Sequence, residues 1–236
     1  YSEMSSSCFT VVEPRNNLAM LQTLVRRKVA DAGVNVHLGV KPTREIRQRF
    51  DRIIVATYSA LNETLATLGC ASDEYRYQVV EKIIVRLPES FKDQSTVVID
   101  GPFGCVDPMD DTDYHIVGHV TRTIHSTNTG HRPFVPPYLS PLLDKGIITD
   151  TRCTRFRQVV DDLARWIPGV DEAVYIGSQF TVRSVLANVE HSDARPTLVT
   201  PIDEQIVRVF SGKLSTACRA ASEVVALLQS EKALAA

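Results

Sequence analysis

Two segments set far apart in the chain share one local plan, and that plan narrows the folds open to the sequence. Arg52-Ile-Ile-Val-Ala-Thr-Tyr-Ser59 is an apolar strand closing on small or hydroxyl residues, followed by a helical stretch to Leu68. Ile206-Val-Arg-Val-Phe-Ser-Gly-Lys213 repeats the plan ahead of a helix to about Leu228. A strand that runs straight into a helix aims the unsatisfied N–H groups of the first helical turn beyond the strand's end, which suits an anion or a phosphate. The chain contains no Gly-x-Gly, however, so it lacks the glycine-rich phosphate loop that such α/β domains usually carry. It also opens on Tyr1 rather than Met. These features imply a truncated nucleotide-binding enzyme.

Composition excludes several other classes. At 236 residues the chain can bury a sizeable core as one large or two small domains. A hydrophobic content of 44% with 23% charged residues is that of an ordinary globular protein. A net charge of −2 gives no reason to expect nucleic acid or an anionic membrane as partner. No apolar run approaches the roughly 20 residues of a membrane helix, and the start lacks a signal-peptide pattern. The five cysteines, Cys8, Cys70, Cys105, Cys153 and Cys218, are scattered and never in C-x-x-C spacing. They read as reduced thiols of a cytoplasmic protein rather than as a zinc site.

Along the chain, Asn17 is placed to cap a helix through Ala32, with Leu18, Leu21, Val25 and Val29 on one stripe and Gly33 ending it. Val34 to Val40 alternates and predicts a strand. Ile53 to Ala56 is a continuous apolar run, as in a strand buried on both faces. After Gly69 the pattern changes. Tyr77 to Leu87, Thr96 to Asp100 and Tyr114 to Ile124 predict longer strands, with Gly101-Pro-Phe-Gly104 as a turn and Ser126 to Pro137 as a loop. A helix from Thr154 carries Phe156, Val159, Val160, Leu163 and Trp166 on one face and is stopped by Pro168-Gly169. Ala173 to Leu186 predicts a further strand. In the last helix Leu214, Ala217, Ala221 and Val225 form a narrow stripe suited to close packing on a sheet. The expected fold is mixed α/β: a partial Rossmann-like domain over 1–70 and 190–236, with an inserted mixed or antiparallel sheet over 71–189 as a substrate lobe.

The order of these features resembles the flavin-dependent oxidoreductases of the D-amino-acid oxidase and glycine oxidase superfamily, from about Val11 to Leu228. Phe50-Asp-Arg-Ile-Ile-Val-Ala-Thr57 is similar to that family's central strand, with Tyr58 standing where the family commonly has Gly. Arg195-Pro196, Thr200-Pro-Ile-Asp203 and Val207-Arg-Val-Phe-Ser-Gly-Lys213 resemble its closing segment, the usual run of glycines being reduced to Gly212. The resemblance implies an enzyme that oxidises an amine, an amino acid or a related small polar substrate with FAD. It also implies that the phosphate-binding unit is missing at the front, so that FAD binding by this chain alone is weakened.

On that resemblance, Thr57, Tyr58, Ser59, Ser211, Gly212 and Lys213 are the candidate cofactor-binding residues, and the positive helix end after Gly212 would face the negative charge that flavin reduction creates. The plain alternative is that Ser211 caps a helix and Gly212 makes a turn. Arg195, with Tyr114 and His115 of the middle lobe, are the candidate substrate-binding residues, since a guanidinium fork suits a carboxylate. A salt-bridged loop arginine and ordinary strand surface are the alternatives. No catalytic side chain is assigned, because the flavin carries the chemistry. His115 and His119 share a strand face but sit roughly 13 Å apart at four residues' separation, too far to bind one ion. Asp107, Asp110, Asp111 and Asp113 lack the glycine and terminal glutamate of a calcium loop, and no Gly-x-Ser-x-Gly supports a hydrolase. The rival to the oxidoreductase is a non-catalytic binding or assembly protein that keeps the scaffold without flavin chemistry. Either way, pairing with a further copy or with a missing N-terminal segment is expected, because a trimmed sheet exposes an edge.

Overall fold

The computed structural model describes residues 7–12, 16–99, 104–187 and 195–234, the last four of them as backbone only. The fold is mixed α/β, with helices α1 (Leu18–Asp31), α2 (Leu61–Thr67), α3 (Phe156–Leu163) and α4 (Ala217–Leu234). The strands are β1 (Ile53–Val55), β2 (Tyr75–Arg86), β3 (Thr96–Val98), β4 (Gly104–Pro108), β5 (His115–His119), β6 (Ile124–Gly130), β7 (Val174–Leu186), β8 (Leu198–Pro201) and β9 (Ile206–Phe210). The chain divides into two compact units: 1–40, 80–125 and 138–181 in one, and 41–79, 126–137 and 182–236 in the other. Strands β2, β6 and β7 contribute residues to both.

The first unit is built on the sheet order β3-β4-β5-β2-β6, with β7 also pairing β2. The β3–β4, β4–β5 and β2–β5 pairs are antiparallel. Against this sheet lies α3, whose expected stripe of Phe156, Val159, Val160 and Leu163 is buried and packs with Ile83, Val85, Val106 and Val117. Burying each such side chain stabilises the fold by about 1.5–3 kcal/mol. Gly169 takes φ +85° beyond the helix, a left-handed turn that a side chain disfavours.

The first unit also holds a buried polar cluster centred on Glu81. The Glu81 side chain is fully enclosed and accepts four hydrogen bonds. They come from His125 Nε2 (2.8 Å), Thr154 Oγ1 (2.6 Å), Ser178 Oγ (2.5 Å) and the Arg155 backbone N–H (3.0 Å). Because Ser178 donates its proton to Glu81, Tyr175 O–H donates to Ser178 Oγ at 2.9 Å, and Thr151 Oγ1 in turn lies 3.1 Å from the Tyr175 hydroxyl. Arg155 is the residue immediately before α3, so the carboxylate also faces that helix's positive end. Burial alone would push the Glu81 carboxyl up, but the donors around it outweigh burial and hold it below its ordinary value.

The second unit contains a three-stranded sheet of order β1-β9-β8. Strand β1 runs parallel to β9, with Ile53, Ile54 and Val55 opposite Ile206, Val207 and Arg208, and β8 runs antiparallel on the other side of β9. The N-terminal ends of the parallel pair are clasped by Arg47. Its guanidinium donates to Asp203 Oδ2 (2.6 Å), Gln205 Oε1 (3.0 Å) and the Leu68 carbonyl (3.2 Å). Gln205 Nε2 returns bonds to the Arg47 and Phe50 carbonyls. Tyr75 stacks on Phe210 with ring centroids 4.7 Å apart.

Several expected elements differ. Asn17 does cap α1, accepting the Met20 N–H at 2.9 Å, and Gly33 follows it at φ +66°, but no residue of α1 is buried. Val34 to Val40 is irregular rather than a strand, with Val34, Val36, Leu38 and Val40 exposed. Alternation marks a face that could be covered, and among the described residues no strand covers it. Tyr114 to Ile124 is not one strand: β5 ends at His119, and 120–123 turn the chain into β6, which takes in Ser126 to Gly130 of the expected loop. Residues 100–103 of the expected strand end and turn lie outside the described residues, and Gly104 opens β4. Leu198 to Pro201, for which no element was expected, forms strand β8. Leu214 precedes α4 in a 3₁₀ turn, and it is exposed together with Ala217, Ala221 and Val225 of the expected stripe; among the described side chains of α4, Ala220 is buried instead.

Candidate functional site

Because β1 and β9 are parallel, their C-terminal ends open on the same edge of the sheet, where an α/β layer places its ligand. Val55 leads to Thr57-Tyr58-Ser59 and then α2, while Phe210 leads to Ser211-Gly212-Lys213 and then α4. At this edge lies a small cavity of about 80 Å³, lined by Tyr58, Arg183, Ser184, Val185, Leu186, Arg195, Phe210 and Gly212. Three of the residues singled out from the sequence, Tyr58, Arg195 and Gly212, thus come together from three separate segments. The described lining includes two guanidinium groups, those of Arg183 and Arg195.

Tyr58 holds φ +50°, the left-handed conformation that suits glycine and is uncommon for an aromatic residue. The backbone after β1 therefore keeps the turn a glycine would give, although the residue is tyrosine. Holding an L-residue there costs about 1–2 kcal/mol. Tyr58→Gly is accordingly expected to be more stable than Tyr58→Ala by about 1 kcal/mol, since both lose the ring and glycine alone relieves the backbone. Urea denaturation of the two variants measures the difference, and equal midpoints would show that the turn is unstrained.

Gly212 is constrained for a different reason. A Cβ there would lie 2.1 Å from the Arg195 carbonyl oxygen and 2.4 Å from that of Pro196. The Gly212 N–H donates to Thr197 Oγ1 at 2.9 Å, and Thr197 Oγ1 lies 2.5 Å from Thr216 Oγ1. Glycine is thus required at 212 for the close approach of the chain's own 195–197 backbone, which positions Arg195 at the cavity. Neither Ser211 nor Lys213 makes a side-chain cap. Lys213 occupies the position before the short 3₁₀ turn at Leu214–Thr216, which leads into α4, and its carbonyl accepts from Thr216 Oγ1 at 2.7 Å. Thr57 Oγ1 bonds Thr64 Oγ1 at 3.1 Å along the helical segment.

The other two candidates lie in the first unit and are engaged there. His115 is buried on β5 with Nε2 3.2 Å from the Phe91 carbonyl, and Tyr114 lies under the Arg86 guanidinium, 5.6 Å from its ring centroid. His115 Nδ1 finds no partner among the described groups, and neither residue lines the cavity at the β1–β9 edge. Sequence reasoning missed Arg183, Ser184 and Gln78. Arg183 Nε donates to Gln78 Oε1 at 2.9 Å and Nη2 bonds the same oxygen; Gln78 itself is buried. Ser184 is 4% exposed, and its hydroxyl finds no partner among the described groups.

Other chemistries find little footing. Among the described residues no group of three or more His, Cys, Asp or Glu is placed to hold a metal ion. All five cysteines are unpaired; burial pushes the Cys105 thiol to about 12, so it is no nucleophile at neutral pH. His119 Nδ1 accepts the Thr121 and Arg122 N–H groups, and burial lowers its proton affinity, so it serves as the cap of a turn. No described helix is long and apolar enough to cross a membrane.

No protein-family model matches the chain, and no curated protein matches it. Among solved structures, glycine oxidase from Geobacillus kaustophilus is similar over 70% of this chain and 37% of its own, at 12% identity and a TM-score of 0.45. Iminodiacetate oxidase (IdaA) from Chelativorans sp. BNC1 is similar over 71% of this chain and 38% of its own, at 15% identity and a TM-score of 0.41. The chain therefore spans less than two-fifths of either protein.

Proposed function

We propose that the chain carries the closing part of a flavin-dependent oxidoreductase acting on an amine, an amino acid or a related small polar molecule. The observation that carries this is the convergence of Tyr58, Arg195 and Gly212 on one cavity at the C-terminal ends of the parallel β1–β9 pair. The residues fit a polar ring edge at the turn after β1, where the left-handed Tyr58 presents backbone beyond the strand. They do not fit one at the Gly212 amide, which Thr197 occupies. FAD would therefore be held at Thr57, Tyr58 and Ser59, with the start of α4 supplying its positive end and no direct bond from Gly212.

When bound, flavin supplies the hydride acceptor for oxidation of the substrate. The chain's own part is positioning. Arg195, fixed by the packing of 195–197 on Gly212, would hold the anionic group of a substrate, and Val185, Leu186 and Phe210 would keep water from the space between.

Expressed from its complete coding region, the protein is expected to purify yellow or to take up added FAD with a flavin absorption band near 450 nm. A colourless protein whose melting temperature is unmoved by FAD would overturn the proposal. That result would favour the second reading, a binding scaffold without flavin chemistry, to which the occupied Gly212 amide and the tyrosine at position 58 already lend support.

A further inference from the structure

We infer that His119 is an acid-sensitive latch on the turn between β5 and β6: its neutral ring holds the turn shut, and a proton arriving at Nδ1 lets it open. The latch lies in the first unit and depends neither on flavin nor on the candidate cavity. Hydrogen-bond geometry sets the tautomer. Nδ1 sits 3.3 Å from the Thr121 N–H and 3.3 Å from the Arg122 N–H, and a backbone N–H can only donate. Nδ1 must therefore present its lone pair, which leaves the ring proton on Nε2. The Thr121 hydroxyl, 3.2 Å from Nδ1, adds a third donor to the same atom.

An imidazolium has a donor on each nitrogen and no acceptor. Protonation thus sets Nδ1 against two backbone N–H groups around a ring that is 5% exposed. Buried donors without acceptors are costly, so the turn must give way. The charged groups that act on the ring are Asp162 of α3, 3.8 Å from Nε2, and Arg122 of the turn itself. Burial, the largest influence, lowers the ring's proton affinity; Asp162 opposes it and Arg122 reinforces it. Asp162 is itself engaged by Arg122 Nε at 2.7 Å and felt by Arg165. From β4 the residue opposite His119 is the uncharged Gly104. From β2, Glu81 meets the turn through its backbone N–H, which donates to the Thr123 carbonyl at 2.8 Å.

The turn also holds the start of α3. Arg155 Nη1 donates to the Arg122 carbonyl (3.0 Å) and to the Ile124 carbonyl (2.6 Å), while the Arg155 N–H bonds Glu81. Opening at His119 therefore loosens the grip on Arg155. A histidine whose folded value is depressed contributes its stability in full above the unfolded value and loses it as pH falls toward the folded one. The loss begins near the ordinary 6.5, well above the 4.5 at which that of Glu81 begins.

Amide hydrogen exchange on the whole chain tests the latch, followed by NMR from about pH 7.5 to about pH 5 and corrected for the intrinsic rate at each pH. Protection at Thr121 and Arg122 is expected to fall by up to about tenfold per pH unit below the ordinary histidine value. His119→Asn places an oxygen where Nδ1 was, which accepts the same N–H groups and does not titrate, so its protection there should be level with pH. Level protection in the parent, or an equal fall in His119→Asn, overturns the inference. The ring nitrogen resonances of the parent give a check that needs no variant. Nδ1 should be the unprotonated nitrogen at neutral pH and should take its proton over the range in which the two amides lose protection. A proton on Nδ1 at neutral pH, or a ring that titrates while both amides stay protected, likewise overturns it.

Discussion

Glu81→Ala is expected to lower stability by about 3–5 kcal/mol, the largest loss anticipated for any single side chain of the first unit. Removing a buried carboxylate leaves the groups hydrogen-bonded to it without a partner. Here the groups stranded would be His125 Nε2, Thr154 Oγ1, Ser178 Oγ and the Arg155 N–H, all of which now bond one carboxylate. Urea denaturation followed by Trp166 fluorescence suits the measurement, since Trp166 packs against the core of the same unit. A loss under about 1 kcal/mol would mean that water satisfies the cluster once the carboxylate is gone.

The same carboxylate gives stability a pH dependence of known sign. Its folded value lies below the ordinary 4.5, so the folded state binds the proton more weakly than the unfolded chain. The contribution is complete above the unfolded value and is lost as pH falls through the folded one. Glu81→Gln should therefore flatten the acid limb of the stability curve below pH 4.5 while leaving its shape near neutrality unchanged.

Gly212→Ala is expected to be the most damaging single change at the candidate site, costing about 3 kcal/mol or more. Overpacking in a core commonly costs about 1–3 kcal/mol when side chains can move aside. In this case the atoms met at 2.1 and 2.4 Å are backbone carbonyl oxygens of Arg195 and Pro196, which cannot swing away. The 195–197 segment must shift, breaking the Gly212–Thr197 bond and withdrawing Arg195 from the cavity. The variant should thus lose stability, read as a lower midpoint in urea denaturation. A loss under about 1 kcal/mol would show that the 195–197 segment can move aside at little cost.

The sequence carried the strand–helix units well because each announces itself locally. A continuous apolar run followed by helix-forming residues needs no distant partner to be recognised, and both units are present with their strands adjacent, although β1 is not buried on both faces, since Ile54 is exposed. The buried stripe of α3 was legible for the same reason. The failures were of two kinds. Alternation from Val34 to Val40 states which face wants covering but not whether a neighbour exists, and none of the described strands pairs with it. The turn after His119 has no glycine or proline to signal it. It is closed instead by the His119 ring accepting two backbone N–H groups and by the His119 carbonyl accepting from Thr123.

At the site, Tyr58, Arg195 and Gly212 were found through their order along the chain. Arg183 and Ser184 were not, because nothing in a strand such as Val174–Leu186 distinguishes a polar residue that lines a cavity from one that faces solvent. Glu81 was within reach. It falls in phase with Tyr77, Val79, Ile83 and Val85, the inward positions of β2, and a charge on that face calls for partners.

The exposure of α1 has a consequence for what a melting curve of this protein means. With no buried residue, that helix is held by its Asn17 cap, by the bond from Asn17 Nδ2 to Asp111 Oδ2 at 2.9 Å and by its own backbone bonds. Its helix–coil balance is therefore expected to shift gradually with temperature and to be only weakly coupled to the cooperative unfolding of the Glu81 core. Circular dichroism at 222 nm, which counts helical residues wherever they lie, therefore mixes a broad peptide-like slope with a sharp transition. Trp166 emission follows the sharp one alone.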